Sequence, residues 1–351
     1  MLVTLPRWGI LDYNLCMDVS ASLLLSLSCY SHPGFNPMSG CLSTIKKKFH
    51  RILATYLLYY YTNTVKLNKE TMVTIENLSF SFTKYQKLFD GLSMKLETGY
   101  IYGLFGMNGA GKTTLLNQIS GMLFPDEGIC SVSGELSRNR LPETLQQLYV
   151  LPEQFDLPAI SAEAYKAIHA PFYPLFDDDR FRDVLSEFDV DPKKKLPQLS
   201  YGQRKKFLIA FALATNAKLL LMDEPTNGLD IPSKSQFRKV MAASDLTNRC
   251  VVISTHQVRD LDALIDHITV LNNGKVIFQQ NIESISNTLS FEKIADDDNR
   301  FTLYSEDIFG GKSAILPKSL SKKETPIDLE LLFSAVIHQT ESINSQFEKE
   351  A

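Results

Sequence analysis

The stretch that most constrains what this chain can fold into is "YIYGLFGMNGAGKTTLLNQISGM", residues 100 to 122. A short apolar run from Tyr100 to Phe105 leads into a glycine-rich turn, and a helical pattern follows with Leu115, Ile119 and Met122 on one face. The turn reads G-x-x-x-x-G-K-[ST] as Gly106, Gly111, Lys112 and Thr113. Backbone that folds around an anion with its N–H groups inward needs glycine there, because a Cβ would block the approach. Lys112 is then placed to reach the β/γ-phosphates of a nucleotide, and Thr113 to put its hydroxyl on Mg²⁺. The helix that starts here adds the positive end of its dipole.

Two further apolar runs end in chemistry. "LLLMDEPTNGLD" reads as a strand buried on both faces, Leu219 to Met222, ending in the carboxylates Asp223 and Glu224. Beside a phosphate-binding turn, Asp223 is expected to bind Mg²⁺ through water, and Glu224 to orient or deprotonate a water attacking the γ-phosphate. "CVVIS" is a second such strand and ends in Thr255-His256. Ligands in open α/β sheets gather at the carboxyl ends of strands, where His256 could hydrogen-bond a γ-phosphate and sense its hydrolysis.

The stretch "QLSYGQRKK", Gln198 to Lys206, has no nucleophile. Ser200 followed three residues later by Gln203 is a capping box before an apolar helical run. That is sufficient for a helix start. A helix N-terminus with a glycine in its first turn, Gly202, also presents N–H groups to an anion.

In this order, Gly106 to Thr114, "LSYGQ", "LLLMDEP", "NGLD" and "STH" resemble the nucleotide-binding subunit of an ATP-binding cassette (ABC) transporter, of the exporter-type, ABC-2-like branch. The resemblance covers about residues 72 to 281. It implies an α/β phosphate-loop NTPase fold of the ABC type, with a helical signature subdomain at about 155–212. It also implies ATP and Mg²⁺ as ligands, held through Gly106, Asn108, Gly109, Ala110, Gly111, Lys112, Thr113 and Thr114, with Lys112, Glu224 and His256 catalytic. Partners implied are a second ATP-binding subunit and an integral membrane permease, which would hold the chain at the cytoplasmic face of the cell membrane. In such a dimer Ser200, Gly202 and Gln203 would meet the ATP held by a partner's phosphate loop. Phe82 falls where an aromatic stacks on adenine, with neighbouring Tyr85 as alternative; Asp230 falls where the family couples its two ATP sites. Two departures stand out. Tyr201 replaces the first glycine of the usual LSGGQ, and "YVLPEQ" puts Glu153 in the slot of the lid glutamine, a nucleotide and metal position, with Gln154 as runner-up.

Between lid and signature, "FDDDRFRDVLSEFDV" puts Phe181, Val184, Leu185 and Phe188 on one helical face, with the run Asp177 to Asp179 at its start. The aromatic "APFYPLF" before it either lines a groove for the permease or packs in the core. Residues 282–351 form a small α+β accessory tail: a hairpin turning near Gly310-Gly311 and a closing helix in "PIDLELLFSAVI".

Residues 1–71 lack a sustained period of 2 or 3.6, and the texture changes at Met72. Either Met72 is the biological start, or the segment is an amphipathic extension whose "IKKKFHR" touches lipid headgroups. A net charge of −4 gives no electrostatic argument for nucleic acid. Cys16, Cys29, Cys41, Cys130 and Cys250 include no CxxC pair, which fits a reducing cytoplasm. The longest apolar patches fall short of the roughly 20 residues a membrane span needs.

Overall fold

The computed structural model of the chain describes residues 70–296, 298, 300–321 and 324–348. The expectations for residues 1–71 lie, apart from Glu70 and Thr71, outside the described residues. β1 (Thr71–Thr83) and β2 (Gln86–Glu97) form an antiparallel hairpin, and β3 (Tyr100–Phe105) runs through the glycine turn into α1 (Lys112–Ile119). β4 (Glu127–Val132), the short β5 (Glu135–Leu136), α2 (Pro142–Leu145) and β6 (Leu148–Leu151) follow. Three helices then come in succession, α3 (Ala162–His169), α4 (Asp178–Glu187) and α5 (Tyr201–Ala214). β7 (Leu219–Asp223), α6 (Ile231–Ala242), β8 (Cys250–Thr255), β9 (His267–Asn272) and β10 (Lys275–Asn281) complete the cassette. The tail consists of α7 (Ile282–Thr288), β11 (Leu289–Ile294), β12 (Tyr304–Ile308), β13 (Gly311–Pro317), α8 (Leu329–His338) and α9 (Thr340–Phe347).

Three sheets result: an antiparallel one in the order β2-β1-β4-β5, a central one in the order β10-β9-β3-β8-β7-β6, and a small one in the order β11-β13-β12. The central sheet is parallel from β9 to β6, with only β10 running antiparallel at its edge. Every residue of β7 and of β8 is buried, as their unbroken apolar runs require when both faces of a sheet are covered. One face packs on α1 and the antiparallel sheet through Leu115, Leu116, Ile119 and Phe89. The other packs on the three-helix segment and the tail through Phe181, Phe207, Phe211 and Leu332.

One expectation fails at the end of α1. Leu115 and Ile119 are buried, but Met122 is exposed. The helix stops at Ile119 because Gly121 takes a φ of +69°, and a Cβ there would lie 2.2 Å from the Ser137 carbonyl oxygen. Met122 is therefore carried off the helical face.

In α4 the expected face of Phe181, Val184, Leu185 and, just past its end, Phe188 is buried, and Asp177 is the N-cap, accepting from the Arg180 N–H at 2.9 Å. In "APFYPLF", Tyr173 and Phe176 pack on the core, whereas Phe172 and Leu175 are exposed. The tail hairpin turns at Phe309-Gly310, and α8 is capped by Asp328. The tail shares the main core, with Phe333 against Phe105 at 6.5 Å and Phe347 against Phe278 at 5.6 Å.

Candidate functional site

Four neighbouring parallel strands, β3, β8, β7 and β6, deliver the chemistry-bearing residues at their carboxyl ends. The pairing aligns Phe105 with Thr255 and Asp223 with Ser254, so Gly106, His256 and Glu224 leave the sheet side by side. β6 ends at Leu151, two residues before Glu153. A cleft of about 710 Å³ opens there, lined by Phe82, Gln86, Leu88, Asn108, Gly109, Gly111, Lys112, Thr113, Thr114, Glu153, Asp223, Glu224, Asn227 and His256.

Lys112 is buried, and its Nζ donates to the carbonyls of Gly106 (2.8 Å) and Met107 (3.3 Å), inside its own loop. Burial holds its pKa below the ordinary lysine value, against the opposing pull of Glu224, 3.9 Å away, and of Asp223. Thr113 Oγ1 donates to Asp223 Oδ2 at 2.6 Å, and Ser254 Oγ donates to the other carboxylate oxygen. These are hard oxygen donors, and among the described residues no cluster of three or more His, Cys, Asp or Glu could hold a metal by itself. A Mg²⁺ ion, which keeps several waters and binds through one or two protein oxygens plus phosphate, fits such a donor set.

Glu224 is buried, and its carboxylate accepts from Thr255 Oγ1 (3.0 Å) and the His256 backbone N–H (3.0 Å), with His256 Nδ1 at 2.7 Å. The histidine thus meets the carboxylate through one ring nitrogen and leaves the other toward Gln257 at 3.5 Å. Ala110 is buried behind the loop. Phe82 lines the cleft edge-on to Phe80 at 5.0 Å, whereas Tyr85 is fully exposed and does not line it. Glu153 lines it as well, accepting from Asn227 Nδ2 at 3.0 Å; Gln154 is exposed and outside the lining.

Ser200, Gly202, Gln203 and Asp230 are not brought into this cleft. The capping box is complete: Ser200 Oγ accepts from the Gln203 N–H (3.2 Å), and Gln203 Oε1 accepts from the Ser200 N–H (3.1 Å). Asp230 caps α6 through the Ser233 N–H at 2.9 Å, and its hydrogen bonds to Ser233 hold its carboxyl below the usual range. Tyr201, at the departed glycine, stacks on Phe155 (5.3 Å) and donates its hydroxyl to the Glu153 carbonyl (2.9 Å). Burial raises its phenol pKa, and Glu153 adds to the effect.

Sequence reasoning missed Asn227 and Lys205. Lys205 is fully buried, and burial pushes its ammonium down to about 8. It shares a helical face with the buried Leu208 and Ala212, so a lysine at that period on an apolar face was the available signal.

A glycine-rich loop at a helix N-terminus, beside acidic residues at the end of the adjoining strand system, defines a phosphate-loop ATPase. Residues 89–227 match the family description "ABC transporter". The chain is 29% identical over 224 residues to the ABC transporter ATP-binding protein NatA of Bacillus subtilis (strain 168), covering 61% of this chain and 91% of that one. It is 29% identical over 266 residues to the Nod factor export ATP-binding protein I of Burkholderia orbicola (strain AU 1054), covering 71% and 81%. A solved ATP-binding subunit of an ABC transporter shares the fold, with a TM-score of 0.56 at 23% identity over 61% of this chain and 92% of that one. Residues 89–227 are thus an ABC transporter ATPase domain, and the chain is similar to ATP-binding subunits of such transporters.

Proposed function

We propose that this subunit closes with a second copy on two ATP molecules and drives export through a separately encoded membrane permease, held at the cytoplasmic membrane face. The observation that carries the reading is a division of labour. The phosphate loop, Asp223, Glu224 and His256 share one cleft, while Ser200, Gly202 and Gln203 stand outside it at an open helix N-terminus. Among the described residues no helix is long and apolar enough to cross a membrane; on this reading the transport path belongs to the permease.

On this reading Lys112 exchanges its loop carbonyls for the phosphates, and Asn108, Gly109, Gly111 and Thr114 line the same cradle. Phe82 stacks on the base. Thr113, Asp223 and Glu153 hold Mg²⁺, which when bound neutralises charge on the phosphate oxygens. Glu224 takes the proton of the attacking water, and His256, anchored to it, orients the γ-phosphate. Signature and Asp230 act across the dimer. Cassette, three-helix segment and tail divide at about residues 155, 212 and 281.

The test is hydrolysis by purified full-length protein. Glu224→Gln should lower the Mg-ATP hydrolysis rate by about 10²-fold or more while ATP still binds. A rate within twofold of the unaltered protein would contradict the role. Capture of a multi-span membrane protein from native membranes supports the permease; transport of cargo inward would correct the direction.

A further inference from the structure

Lys205 is 0% exposed, yet its Nζ donates to main-chain carbonyls, those of Glu224 (2.7 Å) and Asn227 (3.0 Å), rather than to a carboxylate. An ammonium removed from water is costly, so its place here has to return something local. What it touches is an unusual backbone. Glu224 has a φ of +47°, a left-handed conformation that a residue with a Cβ seldom adopts. The strained peptide is held from both sides. Its N–H donates to the carbonyl (3.0 Å) and the hydroxyl (3.2 Å) of Ser254, and its carbonyl accepts from the Asn227 N–H (3.1 Å) and from Lys205. That conformation is what turns the carboxylate back toward Thr255 and His256.

The contacts continue into a ring. Asn227 Nδ2 donates to Glu153, the Glu153 carbonyl accepts from the Tyr201 hydroxyl, and Lys205 Nζ lies 5.5 Å from the centroid of the Tyr201 ring. Lys205 and Tyr201 are one turn apart on α5. We propose that Lys205 is a positioning residue for hydrolysis: its ammonium fixes the left-handed backbone of Glu224 and ties it, through Asn227, Glu153 and Tyr201, to the first turn of the signature helix. The proposal rests on Glu224 acting as the base. Lys205 does not line the cleft, so it orders the carboxylate without contributing to ATP affinity.

Steady-state Mg-ATP hydrolysis and equilibrium ATP binding by the full chain test this, with Lys205→Met, Lys205→Gln and Glu224→Gln compared to the unaltered protein. Lys205→Met should lower kcat at least fivefold, with KM and the ATP dissociation constant unchanged within twofold. Lys205→Gln, still able to donate to one of the carbonyls, should retain an intermediate kcat. A smaller fall in kcat for Lys205→Met overturns the proposal. So does loss of ATP binding in both Lys205 variants, which would mark a role in folding alone. Glu224→Gln separates the two levels. If it hydrolyses like the unaltered protein, the base assignment fails and takes the proposal with it; if it is inactive while Lys205→Met is fully active, only the positioning role fails.

Discussion

Among the described residues, two helices begin with glycine in or beside the first turn, and the two ends are built differently. At α1 the N-cap is Gly111 with a φ of +105°, no side chain caps the helix, and no acidic residue lies in its first turn. At α5, Ser200 and Gln203 cap each other reciprocally. A Cβ on Gly111 would meet the Phe89 ring at 2.9 Å in a backbone conformation that disfavours any side chain. A Cβ on Gly202 would meet nothing nearer than the Gly228 carbonyl at 3.5 Å, an ordinary contact. The fold itself requires the first glycine and has room to replace the second. On the proposed function, the room at Gly202 is used by a partner that approaches from outside.

Substitution of both glycines sharpens this contrast. Gly111→Ala combines left-handed strain with a clash against a fully buried phenylalanine, each worth about 1–3 kcal/mol, so a loss of about 2–6 kcal/mol is expected by urea unfolding, together with loss of ATP binding. A melting curve indistinguishable from that of the unaltered protein would show that α1 can relax around the new methyl group.

The next effect distinguishes the two helices by charge. Lys205, the first buried residue of α5, has its pKa pushed to about 8 against an ordinary 10.5. Between those values the unfolded chain binds more protons than the folded one, so folding stability rises with pH across that window. Relative to Lys205→Met, the unaltered protein should therefore gain stability from about pH 8 to about pH 10.5, by at most about 3 kcal/mol. A stability difference that stays flat over that range would mean the ammonium is better solvated than its burial indicates.

The smallest effect is Gly202→Ala. Because alanine is the better helix former, the monomer should unfold at equal or slightly higher urea, a gain of about 0.5 kcal/mol. Hydrolysis should nevertheless fall severalfold. A parallel fall in stability would return Gly202 to a purely internal role.

The phosphate-loop end of the molecule was the more legible in sequence, because its residues act through backbone placed by local geometry. β3 spans Tyr100 to Phe105 as the apolar run did, and the acidic pair and histidine leave buried strands as expected. The signature end was legible as a helix cap, down to the partners of Ser200 and Gln203. What stayed hidden depends on contacts between segments far apart in sequence. Met122 left its helical face because Gly121 packs against Ser137, sixteen residues on. Tyr201 was visible in sequence as a departure from the usual glycine, but its stacking on Phe155 and its bond to Glu153 needed the folded chain. Lys205 lies in the basic run Arg204 to Lys206, and only the folded chain shows that it alone of the three is fully buried.

The claim that the open helix end serves a second molecule is tested most directly by sedimentation of Glu224→Gln protein with ATP, alone and combined with Ser200→Phe. The single variant should sediment as an ATP-dependent dimer, and the double variant as a monomer that binds ATP with unchanged affinity. A double variant that still dimerises with ATP, or that no longer binds ATP as a monomer, would contradict it.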